Sequence, residues 1–420
     1  MGENLGQNKR KITASDVALI CLLGMVAGFL LSRVALSVFT FLYGVNALWN
    51  INPRKWLKQK YWLLSVAWVL LYVVTWFWSN DKGYWEDRFQ VKFALLLMPL
   101  AFALAPRLSI RQWQQFTLLA GAMFCGAAAY SMSFLLHNYS WIMFIYRVGD
   151  TLPTLPKYDH VRCSLAMALY VIWGINMFPS FALRWQRIVL AAMLLFITVY
   201  IHYLAAKSGL LCIYLFVIGF GIYFMVSKRR ILLGIGVLLL LPLLYELALT
   251  FIPTFHQRKD YVAFSLVYRL HDKTGNYGDI GRLLSYDVAG KIIARHPLAG
   301  VGAGEMLHAM KAGYAQWYPE VVDTAVLLPH NQFLTVALGC GIPAMLVFAW
   351  WVLAPLGWIR KNRAGFFFFM AWLVLSAQLM IEPMLEVQFG VFVYLFYILI
   401  FRQILFLESD NDTLDKTKTA

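Results

Sequence analysis

Long apolar runs, broken by short polar connections, fill most of this chain. A helix needs about 20 consecutive, mainly apolar residues to cross the hydrocarbon core of a bilayer. By that length the pattern predicts about twelve spans. They lie near 16–32, 34–50, 61–79, 91–106, 113–136, 161–179, 186–205, 208–226, 231–252, 331–358, 365–385 and 388–407. The run 231–249 is representative, with Glu246 as its single charge. The expected fold class is all-α, a polytopic helical membrane protein. The first two spans share only a very short connection, Ser32-Arg33.

Composition agrees with lipid as the solvent. Hydrophobic residues make up 61% of the chain and charged residues 14%, against roughly 45–50% and 25% in a soluble domain. A soluble domain this apolar lacks the polar side chains to cover its surface. The net charge of +15 raises the question of nucleic acid. The basic residues, however, sit in short clusters between apolar runs, the pattern of cytoplasmic loops, not gathered on one soluble face. No nucleic-acid partner is expected. The five cysteines, Cys21, Cys125, Cys163, Cys212 and Cys340, fall in or beside apolar runs without metal-site spacing and read as small buried residues. No metal or cofactor is expected.

Charge also orients the spans. With the N-terminus in the cytoplasm, one set of connections carries Arg54, Lys55, Lys58 and Lys60; Arg107 and Arg111; Arg184 and Arg187; Lys228, Arg229 and Arg230; and Arg360, Lys361 and Arg363. Each is a basic cluster with no acid. The alternate set is mixed, as in Asp81-Lys82 and Glu86-Asp87-Arg88. A miscounted span would invert every later connection, so this consistency points to an even number of spans and cytoplasmic termini. Residues 1–15, with Lys9, Arg10 and Lys11, then precede a retained first span, since no small-residue cleavage site follows. Residues 408–420 form a cytoplasmic tail. All eight histidines fall on the outer side or at an outer span end.

The division that follows is spans one to nine over 16–252, a large outer loop over 253–329, and spans ten to twelve over 331–407. Long loops are usually functional, and this one carries helical signals. Ile280, Leu283, Leu284, Val288, Ile292 and Ile293 recur near helical spacing until His296-Pro297. A second amphipathic helix is expected from Met306 to Tyr318, with Trp317 and Tyr318 at the membrane interface. Between them lies Gly300-Val301-Gly302-Ala303-Gly304, either a helix connector or a phosphate cradle.

Three groups stand where charge is rarely placed for packing alone. Lys207 lies in the short outer connection between two spans, where snorkelling to the interface is the alternative reading. Arg282 opens the first loop helix, and His330 stands at the mouth of the tenth span. Two cations and a histidine at the outer surface suit an anionic, lipid-linked substrate. Lys207 and Arg282 would hold a diphosphate, the arginine bidentately, and offset charge growing on the leaving group. His330 would accept the proton of an acceptor hydroxyl.

Three stretches resemble the O-antigen ligase and polymerase family of bacterial membrane glycosyltransferases. One is Gly281-Arg282-Leu283-Leu284 followed by His296-Pro297-Leu298-Ala299-Gly300-Val301-Gly302-Ala303-Gly304. Another is His330-Asn331 with Gly341 ten residues after Asn331. The third is Leu204-Ala205-Ala206-Lys207-Ser208-Gly209. Lys207 departs from the family's usual arginine, which keeps the charge but loses the planar fork. Ala344 also departs from the motif, with an effect expected on packing alone. The resemblance implies glycan transfer from an undecaprenyl-diphosphate carrier to the lipid A–core acceptor in the inner membrane, with a periplasmic site and no nucleotide or metal. For a polymerase the acceptor would be another carrier-linked repeat unit. Near this site by topology, Arg162 is a further candidate for the cationic pocket. His160 and Asn331 are secondary candidates, and Glu382 is a candidate partner for a cation, with Glu386 close by. A transporter or flippase would predict internal repeats and mid-membrane ionisable groups. The chain shows no clear repeat, and its charges lie mostly at span ends or in the outer loop. A non-catalytic scaffold would not require Arg282 and His330 to converge.

Overall fold

The computed structural model describes residues 12–48, 59–157, 159–269, 278–321 and 326–418. Lys9, Arg10, Lys11, Arg54, Lys55, Lys58 and His271, used above for orientation, lie outside the described residues. Among the described residues there are 16 α-helices and no strands. In chain order they are α1 Ala14–Leu31, α2 Arg33–Leu48, α3 Lys60–Val74, α4 Lys82–Leu104, α5 Ile110–His137, α6 Tyr139–Arg147, α7 His160–Met177 and α8 Arg184–Leu204. There follow α9 Lys207–Val226, α10 Ile231–Phe251, α11 Pro253–Arg269, α12 Gly278–Arg295, α13 Met306–Trp317, α14 Gln332–Leu353, α15 Arg363–Ile381 and α16 Gln388–Lys418.

Among the described residues, ten segments are long and apolar enough to cross a membrane. The other two expected spans are α2, which is apolar but has only 16 residues, and α4, whose first turns carry Glu86, Asp87 and Arg88. The protein is an all-α, multi-pass membrane protein. The last helix runs on without a break through Lys418, so no turn separates the twelfth span from the tail.

Local sequence explains where helices begin. Thr13 and Ser109 each close a capping box, with Asp16 and Gln112. The Asn362 side chain accepts from the Gly365 N–H. Each cap satisfies backbone donors that the first turn leaves open.

Burial ranks the spans. In α7 and α16, 78% and 83% of the spanning window is buried, against 11% in α10. The first two form the centre, and α10 is a peripheral, lipid-facing helix. A helix that is apolar all round must be enclosed or lie in lipid, and both solutions occur here. The centre is pinned by aromatic polar tips: Tyr170 donates to the Thr117 carbonyl at 2.7 Å, and Tyr397 to the Ala166 carbonyl at 2.6 Å.

Helix α14 is broken at Gly341, whose φ is 87°. Pro343 has no N–H to give the Gly339 carbonyl, and exposed carbonyls are costly at membrane depth. The glycine turn between α12 and α13 supplies the missing donors. Val301 N–H donates to Leu338 O at 2.8 Å and Gly302 N–H to Gly339 O at 3.0 Å, while Ile342 N–H returns to Pro297 O at 2.8 Å. The remaining amides of the turn are also used. Ala303 and Gly304 donate to the Thr75 and Ser79 hydroxyls, and Gly300 and Glu305 to the His296 and Gly302 carbonyls. With all six amides bonded inside the protein, the turn is a connector that plugs a broken helix. The phosphate-cradle reading of this turn is not upheld.

The two loop helices fall close to their expected places. They build a small core of their own on the first half of α14, from Val288, Ala289, Ile292, Met306, Met310 and Tyr314 against Ala337 and Leu338. Tyr286 donates to the His330 carbonyl at 2.7 Å, which ties α12 to the start of α14.

Candidate active site

The site is built at one end of the bundle, around a carboxylate. Residue 382 follows the last turn of α15 and precedes Pro383. The residue before a proline is driven out of the helical region into extended backbone, and Glu382 has φ −147° and ψ 139°. Its side chain thereby leaves the helix and meets three elements. Arg282 Nη2, from the first turns of α12, lies 2.8 Å from Glu382 Oε1. His330 Nδ1, from the approach to α14, lies 3.7 Å from Oε2, and Arg162 Nη2, from the first turn of α7, lies 3.9 Å from Oε2. Arg162 also faces the N-cap residue Asp159, at 3.4 Å.

These distances divide the contacts. The Arg282 contact is a short, charge-assisted hydrogen bond. At 3.7 Å the His330 contact is too long for a hydrogen bond, and Nδ1 is buried with no hydrogen-bond partner. Burial acts to raise the Glu382 pKa, but His330, Arg282 and Arg162 beside it outweigh burial and hold the carboxyl below its ordinary value. Glu382 itself is buried, at 10% side-chain exposure, but its partners reach solvent, at 27% for Arg282 and 25% for His330.

The structure thus brings Arg282, Arg162, His330 and Glu382 together. Lys207 is the first residue of α9 and exposed. Its turn is held at the same end, since the Ser208 carbonyl accepts from Gln378 of α15 at 3.3 Å, and Gly209 leaves no room for a Cβ against Ser164 of α7. Two arginines, Arg162 and Arg282, thus face the two carboxylates Glu382 and Asp159. Asn331 has a different task. Its Oδ1 caps α14, accepting from Phe333 and Leu334, and its Nδ2 donates to the Met380 carbonyl at 3.0 Å. His160 opens α7, with Arg258, Asp159, Asp150 and Arg162 as its charged neighbours.

A second carboxylate lies four residues on. Glu386 Oε2 is 2.9 Å from Lys92 Nζ, and both side chains are almost wholly buried. Gln332 donates to Glu386 Oε1 at 2.8 Å and accepts the Leu385 N–H at 2.7 Å. Sequence reasoning placed Glu386 near the site but missed Lys92 and Gln332 as its partners. Burial favours a neutral Glu386, but Lys92, Gln332 and Arg88 prevail and lower its pKa. Among the described residues, no three His, Cys, Asp or Glu side chains are grouped where they could hold a metal.

The comparisons with known proteins fall on these same elements. Residues 190–349 match the family model described as O-Antigen ligase. The match supports the O-antigen ligase and polymerase family. It covers Lys207, Arg282 and His330, and stops short of Glu382. No protein of curated function matches the chain.

Proposed function

We propose that this protein is an O-antigen ligase of the bacterial inner membrane, transferring a glycan from undecaprenyl diphosphate to the lipid A–core acceptor on the periplasmic face. The observation that carries this reading is the convergence of Arg162, Arg282 and His330 on Glu382, two of them within the matched segment. The donor's diphosphate carries more charge than a carboxylate and competes with Glu382 for the guanidinium groups, with Lys207 as a third cation. The acceptor hydroxyl oxygen then bonds to the anomeric carbon while the bond from that carbon to the diphosphate oxygen breaks. The electron pair leaves with the diphosphate, whose growing charge the cations offset. The hydroxyl proton passes to His330. With Nδ1 turned toward Glu382, Nε2 is the nitrogen that meets the acceptor. The donor arrives activated, so the scheme needs no nucleotide or metal.

The test is a deletion strain complemented with wild type, His330→Ala or Arg282→Ala, with its lipopolysaccharide resolved on a gel. Loss of a positioned base or charge clamp should lower transfer by about 10²-fold or more. The ligase reading expects loss of the whole long-chain ladder while carrier-linked polymer accumulates. A single repeat unit on the core would assign a polymerase instead. Unchanged ladders from both variants would remove the site.

A further inference from the structure

A groove runs between α2 and α4, with the start of α16 as its back wall. Its upper part is a cavity of ≈ 420 Å³ between Leu36 and Phe41 of α2 and Ala94, Leu97 and Met98 of α4. A lower cavity of ≈ 130 Å³ continues it between the same two helices, sharing Phe41 and Leu97 and ending at Leu48 and Leu104. From Ser37 to Leu48 the groove is about 17 Å long at the helical rise per residue. Its floor is buried, at Leu36 and Met98, and its rims are the aromatic rings of Phe41 and Phe93, 61% and 57% exposed.

The two ends of the groove differ. Below Phe41 the lower part is wholly apolar. The upper mouth holds Ser37, Asp87, Gln90 and Gln388, and among the described residues no basic side chain lines it. Gln388 Nε2 fixes the mouth by donating to Ser37 Oγ at 2.8 Å and to the Arg33 carbonyl at 3.1 Å. The mouth lies at the same end of the bundle as Glu382, since Arg88 of α4 donates to the Glu386 carbonyl at 2.9 Å. A carboxylate with amides and a hydroxyl recognises hydroxyl donors and repels phosphate, the opposite of the cation cluster around Glu382.

We propose that this groove holds one apolar chain of a glycolipid, whose uncharged, hydroxyl-rich head is read by Asp87, Gln90, Ser37 and Gln388. It is a second lipid site, separate from the Glu382 cluster and independent of the reaction proposed there.

Full-length protein in nanodiscs would be loaded with an uncharged glucosyl-diacylglycerol, phosphatidylglycerol or phosphatidylethanolamine of matched chains, and retention read by native mass spectrometry. The glycolipid should be retained about tenfold better than phosphatidylglycerol, the discrimination that one or two extra hydrogen bonds give. Ala94→Trp, which fills the upper groove, should abolish that preference, and Asp87→Lys should reverse it toward phosphatidylglycerol. Gln90→Leu, on an exposed turn, should weaken glycolipid retention without loss of folded protein and guards against a misfolded Ala94→Trp. Equal retention of all three lipids, or a preference untouched by Asp87→Lys and Gln90→Leu, overturns the proposal. Preferential retention of phosphatidylethanolamine overturns the head-group assignment.

Discussion

Glu382 and Glu386 are four residues apart, yet they occupy two kinds of site. Glu386 is sealed. Lys92, Gln332 and a backbone amide satisfy the whole turn around it, with side-chain exposure of 1% at Lys92 and 7% at Glu386. Glu382 is open. It faces two arginines and a histidine, only one contact is a short hydrogen bond, and the His330 nitrogen beside it has no hydrogen-bond partner. The sequence His330-Asn331-Gln332 feeds both: His330 to the open cluster, Gln332 to the sealed one, and Asn331 as the cap between them. A sealed charge pair fixes geometry, whereas a cluster whose cations reach solvent can exchange its anion. The sealed pair therefore supports the turn from which the open one projects.

Breaking the sealed pair should have the largest effect on stability. Lys92→Met leaves Glu386 buried without its cation and should cost about 3–5 kcal/mol in thermal unfolding of the purified protein, while Lys92→Met with Glu386→Leu should recover most of it. If the double variant is no better than the single, the pair is not what seals the turn. Gln332→Leu strands a carboxylate oxygen and the Leu385 N–H, a loss of about 2–3 kcal/mol. Asn331→Ala removes a cap and should cost about 1 kcal/mol. These three losses should decline in that order. An Asn331 loss equal to that of Lys92 would mean that the start of α14, not the charge pair, organises this end.

Much of the framework was legible because it follows from local rules. Apolar length gave the spans, and helical periodicity ending at His296-Pro297 gave α12 within a few residues. Arg282 and His330 drew attention because charge at a span end is costly without a use. The partnership of Lys92 with Glu386 was hidden, since it joins α4 to a turn 294 residues later and neither residue carries a local sign of the other. The glycine turn was legible as a connector or a cradle, and what it connects to was hidden for a related reason. Its amides point to whatever carbonyls the fold presents, and those of Leu338 and Gly339 became available only because Gly341 and Pro343 break α14. Gly-Ile-Pro inside an apolar run was the available signal. Asp159 was overlooked although it stands as an N-cap just before His160, and it is the second anion facing Arg162.

The smallest expected stability effect belongs to the open cluster, and pH isolates it. Glu382 has a folded pKa below its ordinary value of 4.5. A depressed carboxyl contributes stability that is fully present above the unfolded pKa and is lost as pH falls through the folded one. The neighbouring charges on Arg282, Arg162 and Asp159 are common to any pair of variants. The comparison is best made between wild type and Glu382→Gln, with His330, Arg282 and Arg162, the groups that lower the Glu382 pKa, present in both. The gap in stability should be about 1 kcal/mol or less at neutral pH, because the cations that face Glu382 are partly solvated. It should stay constant down to about pH 5, shrink below the ordinary carboxyl value, and close once Glu382 is protonated in the fold. A gap that opens as pH falls would mean that Glu382 is held neutral, and the cations would then not be gathered by its charge. A gap as large as that for Lys92→Met would erase the distinction between the sealed and the open carboxylate.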